Sequence, residues 1–253
     1  MSDPSCVDVE TKGTVALVRM RRGKVNAIAP ELLAGLVQAL DACAGARAIV
    51  LVGHGNAFSA GLDLPLLAEL DREAMRLFMA SFTDVMLRVF EAPAPIVAAL
   101  NGHAIAGGCV LALLADVRVA ADGPGLIGLN ETQLGLGLPP IALHPLQLAL
   151  PAASFAPLAL EGTLVTPRRA LELGLVDEVV PEADLLPRAL ERAARLAALP
   201  PAGVRQVKEL ARRGTAARIR AESGAELEGW LDSWFSDESR ERVLAAVARL
   251  RGP

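Results

Sequence analysis

Residues 96–109 read IVAALNGHAIAGGC. The run IVAAL is apolar without a break, the pattern of a short strand buried on both faces. The prolines of APAP just before it stop a helix. NGHAIAGGC (101–109) is a glycine-rich loop, and VLALLAD after it reads as a short apolar helix. Strand, loop and helix in that order are most of a βαβ unit. The same order occurs upstream: AIVLVG (48–53) is an apolar strand, HGNAFSAGLDL a loop, and an amphipathic stretch runs from about 65 to 91.

Working outward, TVALVRM (14–20) reads as a strand, followed by a turn containing Gly23. PELLAGLVQALDACA (30–44) has helical spacing in Leu32, Leu33, Leu36, Val37 and Leu40, with Pro30 near its start. VRVAA (117–121) and GLIGL (125–129) look like two more strands. Beyond Pro139 the pattern is mostly helical. Thr166 and Pro167 suit an N-cap and first helical position, and Gly174 ends that helix. Further helical stretches cover roughly 182–199, 202–213, 220–235 and 237–251. The fold class is α/β, with a partly parallel sheet and a helical layer over the last third.

The 253 residues suffice for one large α/β domain, or one with a helical appendage. A hydrophobic fraction of 53% points to a large core or an oligomer interface. A net charge of -4 with no basic run argues against nucleic acid as a partner. The lysines are Lys12, Lys24 and Lys208, which confines any Schiff-base chemistry to those positions, and tyrosine is absent. Cys6, Cys43 and Cys109 have no metal-ligand or redox-motif spacing and read as reduced thiols. His54, His103 and His144 are scattered, so no metal site is expected. The start, MSDPSCVDVE, reads neither as a signal peptide nor as a transit peptide, and the most apolar stretch (104–115) is too short to span a bilayer. The expectation is a cytoplasmic protein with no membrane association.

FSAGLDL (58–64) and NGHAIAGGC (101–109) both leave an apolar strand and lead into a helix. Such loops present unpaired backbone N–H groups, and glycine allows close approach to a ligand. Brought together, they could hold an oxyanion between two donors. Taken singly, each is also what a tight βα turn looks like. Neither is a dinucleotide or phosphate fingerprint, and G-x-S-x-G is absent. Ser59 reads as a surface-loop serine rather than a nucleophile.

These residues resemble the crotonase superfamily, the enoyl-CoA hydratase/isomerases. The likeness covers nearly the whole chain, from VNAI (25–28) through FSAGLDL, NGHAIAGGC and IGLNETQLG (127–135) to ALELGLVDEVV (170–180). FSAGLDL with GLNETQLG is most similar to the Δ3,Δ2-enoyl-CoA isomerases. The resemblance implies a spiral of ββα units over 1–195 and a C-terminal helical region, 196–253, for packing in a homotrimer or dimer of trimers. It implies an acyl-CoA thioester as substrate, with coenzyme A arriving as part of it and no separate cofactor. It places the oxyanion hole at the amides of Leu62 and Gly107, in the AGG triplet 106–108. Val25, Ala27, Ala60, Gly61, Asp63, Leu64 and Gly108 are the expected substrate and CoA contacts.

Hydratases of this family carry two site glutamates. Here the first position is Val110 and the second, allowing one inserted residue near Pro124, is Glu131. Hydration uses two carboxylates to divide water activation and proton delivery, whereas a 1,3 proton shift needs one base. An apolar surround, Ile127, Leu129 and Leu134, raises a glutamate's pKa towards the value a general base wants. Asn130 to Gln133 also suits an N-cap turn with Gln133 in the capping-box position, and both roles can coexist. Asp63 reads as a helix cap or loop-fixing acid and Asp116 as structural. His103 reads as packing, with substrate contact the alternative; Trp230 and Trp234 read as core or subunit packing, with an acyl-chain wall the alternative. The lead expectation is isomerisation of 3-enoyl-CoA to 2-trans-enoyl-CoA. The alternatives are a 2-enoyl-CoA hydratase and a non-catalytic acyl-CoA-binding protein.

Overall fold

The computed structural model describes residues 6–251. The bounds expected at 1 and 253 fall outside it. Among the described residues the main sheet has six strands: β1 (Val7–Lys12), β2 (Val15–Met20), β3 (Ala48–Val52), β5 (Ile96–Leu100), β7 (Val117–Asp122) and β9 (Glu178–Pro181), in that spatial order. β1 and β2 form an antiparallel hairpin; the other pairings are parallel. A second, three-stranded parallel sheet is built from β4 (Ala57–Ser59), β6 (His103–Ile105) and β8 (Ile127–Gly128), with β6 in the middle. Each repeat lays one strand in the large sheet and the next in the small one, which makes the chain climb as a spiral of ββα units.

Every residue of β3 and β5 is buried, which is why both read as unbroken apolar runs. One face of the large sheet takes α7 (Leu185–Ala198), whose Leu185, Ala189, Ala193 and Ala197 pack on Leu17, Val50, Val97 and Val119. The other face carries the larger core with α1 (Pro30–Ala42), α3 (Arg72–Phe90), α4 (Gly107–Leu113), α5 (Pro140–Ala149) and the long α8 (Pro201–Trp234).

Several boundaries differ from the sequence reading. The stretch 65–91 is two helices, α2 (Leu64–Leu67) and α3, because the Asp71 carboxylate caps α3 through the Ala74 N–H at 2.8 Å. The stretches 202–213 and 220–235 are one helix, α8. Its glycines, Gly203, Gly214, Gly224 and Gly229, leave open space and do not interrupt it. β1 was not anticipated: it is an edge strand exposed at all but its first residue, so no apolar alternation marks it. β9 is likewise an edge strand. The short strands β4 and β6 lie hidden inside the two glycine-rich loops. α6 (Pro167–Leu173) follows its expected Thr166 cap, and Gly174 ends it in the left-handed region. α9 (Asp237–Arg251) folds back on its own chain. The Ser239 hydroxyl donates to the Gly135 carbonyl at 3.1 Å, beside the turn that carries Glu131. No described helix is long and apolar enough to cross a membrane.

Candidate active site

The three segments singled out in the sequence leave the C-terminal ends of the three strands of the small sheet. β4 runs into Gly61 and Leu62, β6 into Ala106 and Gly107, and β8 into the 3-10 turn Glu131–Leu134. Because β6 is central, the second loop lies between the first loop and Glu131. Pairing fixes this order: the Ala106 N–H donates to the Gly128 carbonyl at 2.8 Å.

The first loop is held by a buried polar network. Asn26, fully buried with φ +50, donates from Nδ2 to the Ala57 and Phe58 carbonyls at 3.1 and 3.2 Å. The Ser59 hydroxyl donates to the Asn26 carbonyl at 2.7 Å and accepts the Gly61 N–H at 3.2 Å. Ser59 is therefore not a surface-loop residue, as its sequence context suggested; it is fully buried and its hydroxyl is spent on loop geometry. Gly61 has φ +86, and a Cβ there would stand 2.7 Å from the Ile105 carbonyl oxygen. The Ile28 N–H donates to the Gly61 carbonyl and the Asp63 N–H to the Ile28 carbonyl, at 2.7 and 3.0 Å. In such a parallel bridge the residue between, Leu62, turns its own N–H away from the partner strand. Gly107 opens α4, where an N–H has no intrahelical acceptor. The preceding Ala106 has φ +51 and ψ -124, a conformation that favours glycine.

Glu131 completes the cluster. As a whole it is only half-buried, but its Oε2 is shut away from solvent with no hydrogen-bond partner. The titrating atom decides the electrostatics: desolvation raises the Glu131 pKa to about 7, opposed by a hydrogen bond from its own backbone. The buried Cys109 thiol, two residues past Gly107, is pushed up to about 12, first by burial and then by the Glu131 charge. Val110 is buried and apolar. The capping-box reading does not hold. Asn130 makes no side-chain cap, and Gln133 Nε2 donates instead to the Glu161 and Gly162 carbonyls at 3.2 and 3.0 Å, pinning the turn from outside.

Of the expected substrate contacts, Val25 is exposed and its carbonyl accepts the Ala60 N–H at 3.0 Å; Ala27, Ala60 and Leu64 are half-buried. At Gly108 a Cβ would stand 2.1 Å from the Ser59 carbonyl oxygen, so its missing side chain serves close packing of the two loops. Both oxygens of Asp63 are engaged, Oδ1 with the Leu66 N–H at 3.2 Å and Oδ2 with Arg22 at 2.7 Å. It caps α2 and fixes the loop. His103 Nδ1 accepts the Leu126 N–H at 3.1 Å, a packing role. Asp116 pairs with Lys208 and Arg212 in the core, a structural role. Trp230 and Trp234 stack at 5.4 Å and are buried. The sequence reading missed Asn26 and Arg22; a lone polar residue inside VNAI was the available signal for the first. A cavity of about 680 Å³ lies elsewhere. It is lined by Arg47 and Pro95 at the opposite, N-terminal ends of β3 and β5, and contains none of these groups.

Residues 10–249 match the model of the enoyl-CoA hydratase/isomerase family. The chain belongs to that family. It is 30% identical over 250 residues to human mitochondrial enoyl-CoA delta isomerase 1, covering 97% of this chain and 83% of the relative. A putative enoyl-CoA hydratase of Thermus thermophilus is 38% identical over 211 residues, 81% of this chain and 82% of that one. The crystal structure of human mitochondrial delta3-delta2-enoyl-CoA isomerase superposes with a TM-score of 0.92 at 31% identity, over 97% of this chain and 98% of the other. The family thus includes relatives named for either reaction. Within it, this chain combines Glu131 with an apolar Val110.

Proposed function

We propose that this family member is a Δ3,Δ2-enoyl-CoA isomerase working with one glutamate. The carrying observation is the Glu131 carboxylate. It has one oxygen buried and unpartnered, at the end of the sheet where the first two strands run into loops with free backbone N–H groups, while Val110 supplies no second acid. Ionised Glu131 takes a proton from the α-carbon of a 3-enoyl thioester. The electron pair moves onto the thioester carbonyl, whose developing oxyanion accepts hydrogen bonds from the Leu62 and Gly107 amides. One such donor can be worth roughly 3 kcal/mol in the transition state. The electrons then return through the carbon chain as the double bond shifts. The γ-carbon takes the same proton back from Glu131. The base is regenerated, nothing is oxidised or reduced, and coenzyme A comes and goes with the substrate.

The edges of the first loop, Ala60 to Leu62 and Leu64, with Val25 and Ala27, take the thioester and pantetheine. The assembly we assign is a homotrimer or a dimer of trimers. The cytoplasm is the compartment we assign. Incubation with 3-hexenoyl-CoA should yield the 2-trans isomer, and Glu131→Gln should lose that turnover. A fully active Glu131→Gln enzyme rules the mechanism out. The relative named as a putative hydratase keeps a second reading in view: hydration of crotonyl-CoA without isomerisation would favour it.

A further inference from the structure

Arg22 lies in the turn between β2 and α1, 41 positions from Asp63. Its Nη1 carries two hydrogens and uses both, one on the Ala27 carbonyl at 3.0 Å and one on Asp63 Oδ2 at 2.7 Å. Nε reaches Glu31 Oε2 at 3.3 Å, and the Arg22 N–H donates to Asn26 Oδ1 at 2.9 Å. These partners flank one structural feature. Ala27 precedes Ile28, Asp63 follows Leu62, and Ile28 and Leu62 form the bridge that orients the Leu62 amide. The other Asp63 oxygen caps α2. A single nitrogen therefore clamps both strands of the bridge and the start of the next helix. The side chains of Arg22 and Asp63 are only 21% and 18% exposed, so solvent and salt screen this pair less than a surface ion pair.

We propose that Arg22 is a positioning residue for the oxyanion hole: clamped to Ala27 and Asp63, it fixes the direction of the Leu62 N–H without touching substrate. This rests on the assignment of Leu62 made above. Small misalignments of a preorganised donor are costly, and a displacement of about 1 Å can cost roughly 100-fold in rate. A planar fork suits a clamp with fixed angles, and an ammonium group reproduces it only in part.

The test has two readouts, applied to Arg22→Met, Arg22→Lys, Asp63→Asn and the double variant Arg22→Met/Asp63→Asn. The first is hydrogen–deuterium exchange of the segment 60–67 without substrate. The second is exchange of the α-protons of butyryl-CoA in heavy water, which needs the base and the oxyanion hole but no double bond. Arg22→Met and Asp63→Asn should each speed amide exchange in the segment. Each should lower kcat for α-proton exchange by roughly 10- to 100-fold, with KM little changed. The double variant should be no worse than either single one, and Arg22→Lys should recover part of the loss. A raised KM with kcat intact would overturn the proposal, because Arg22 would then be holding the substrate itself. Unchanged amide exchange in Arg22→Met would overturn it too. A wild-type enzyme that exchanges no α-protons counts against the Leu62 and Gly107 assignment. The amide-exchange readout then still decides whether Arg22 positions the loop.

Discussion

Gly61 and Gly107, on separate loops 46 positions apart in the numbering, are packed so closely that a Cβ on Gly61 would stand 3.1 Å from the Gly107 nitrogen. The same Cβ would be 2.7 Å from the Ile105 carbonyl oxygen, and Gly61 has φ +86. Gly61→Ala is therefore strained by its backbone and also pushes the two loops apart. A loss of at least about 100-fold in turnover is expected, the scale of a misplaced oxyanion donor. Steady-state kinetics with 3-hexenoyl-CoA check this. Near-wild-type activity would show that the two loops need not touch.

The raised pKa of Glu131 sets the pH profile. The base must be ionised to accept a proton, so kcat/KM should rise with pH through about 7 and level off above it. A profile that rises near pH 4.5 instead would mean that the carboxylate is solvated in the working enzyme.

Stability should run in the opposite sense. Unfolded, Glu131 titrates near its ordinary 4.5; folded, near 7. Between those values the folded state holds more protons, so this group's contribution makes stability fall as pH rises. The change is at most about 3 kcal/mol. Glu131→Gln has no such penalty and should gain on wild type between pH 5 and pH 8. Urea titrations at both values measure it, and an equal offset at the two pH values would contradict the burial.

Ala106 is strained where glycine would not be, at φ +51 and ψ -124. Relief of such strain is worth about 1–3 kcal/mol, against roughly 0.5–1 kcal/mol of extra chain entropy. Ala106→Gly should therefore raise stability by about 1 kcal/mol while leaving the Gly107 amide in place. A thermal melt with a paired activity assay reads both.

Asp116 lies 2.6 Å from Lys208 Nζ and 2.8 Å from Arg212 Nη2, and also accepts the Ile96 N–H at 2.7 Å. Burial lowers the Lys208 pKa to about 8, and Asp116 opposes that fall. Asp116→Asn leaves two largely buried cations without their counter-charge and should cost roughly 3–5 kcal/mol. The urea midpoint is the measurement; a shift within error would mean that water reaches both cations.

The strands β2, β3, β5 and β7 were legible because their residues pack on the sheet's faces, and that demand writes itself into the chain as apolar runs. The helix ends at Thr166 and Gly174 were legible because capping is local chemistry. The two glycine-rich loops, Glu131 and the apolar Val110 could also be read residue by residue, and with them the family. The edge strands β1 and β9 could not, since an edge demands little of its side chains.

What only the tertiary structure decided is which atoms meet. Glu131 Oε2 is sealed without a partner, Ser59 is a buried brace, Asp63 caps α2 and Arg22 clamps the first loop. These outcomes depend on contacts between residues tens of positions apart. Such contacts leave no period in the sequence; they exist only once three short strands lie side by side and bring their C-terminal ends to one place.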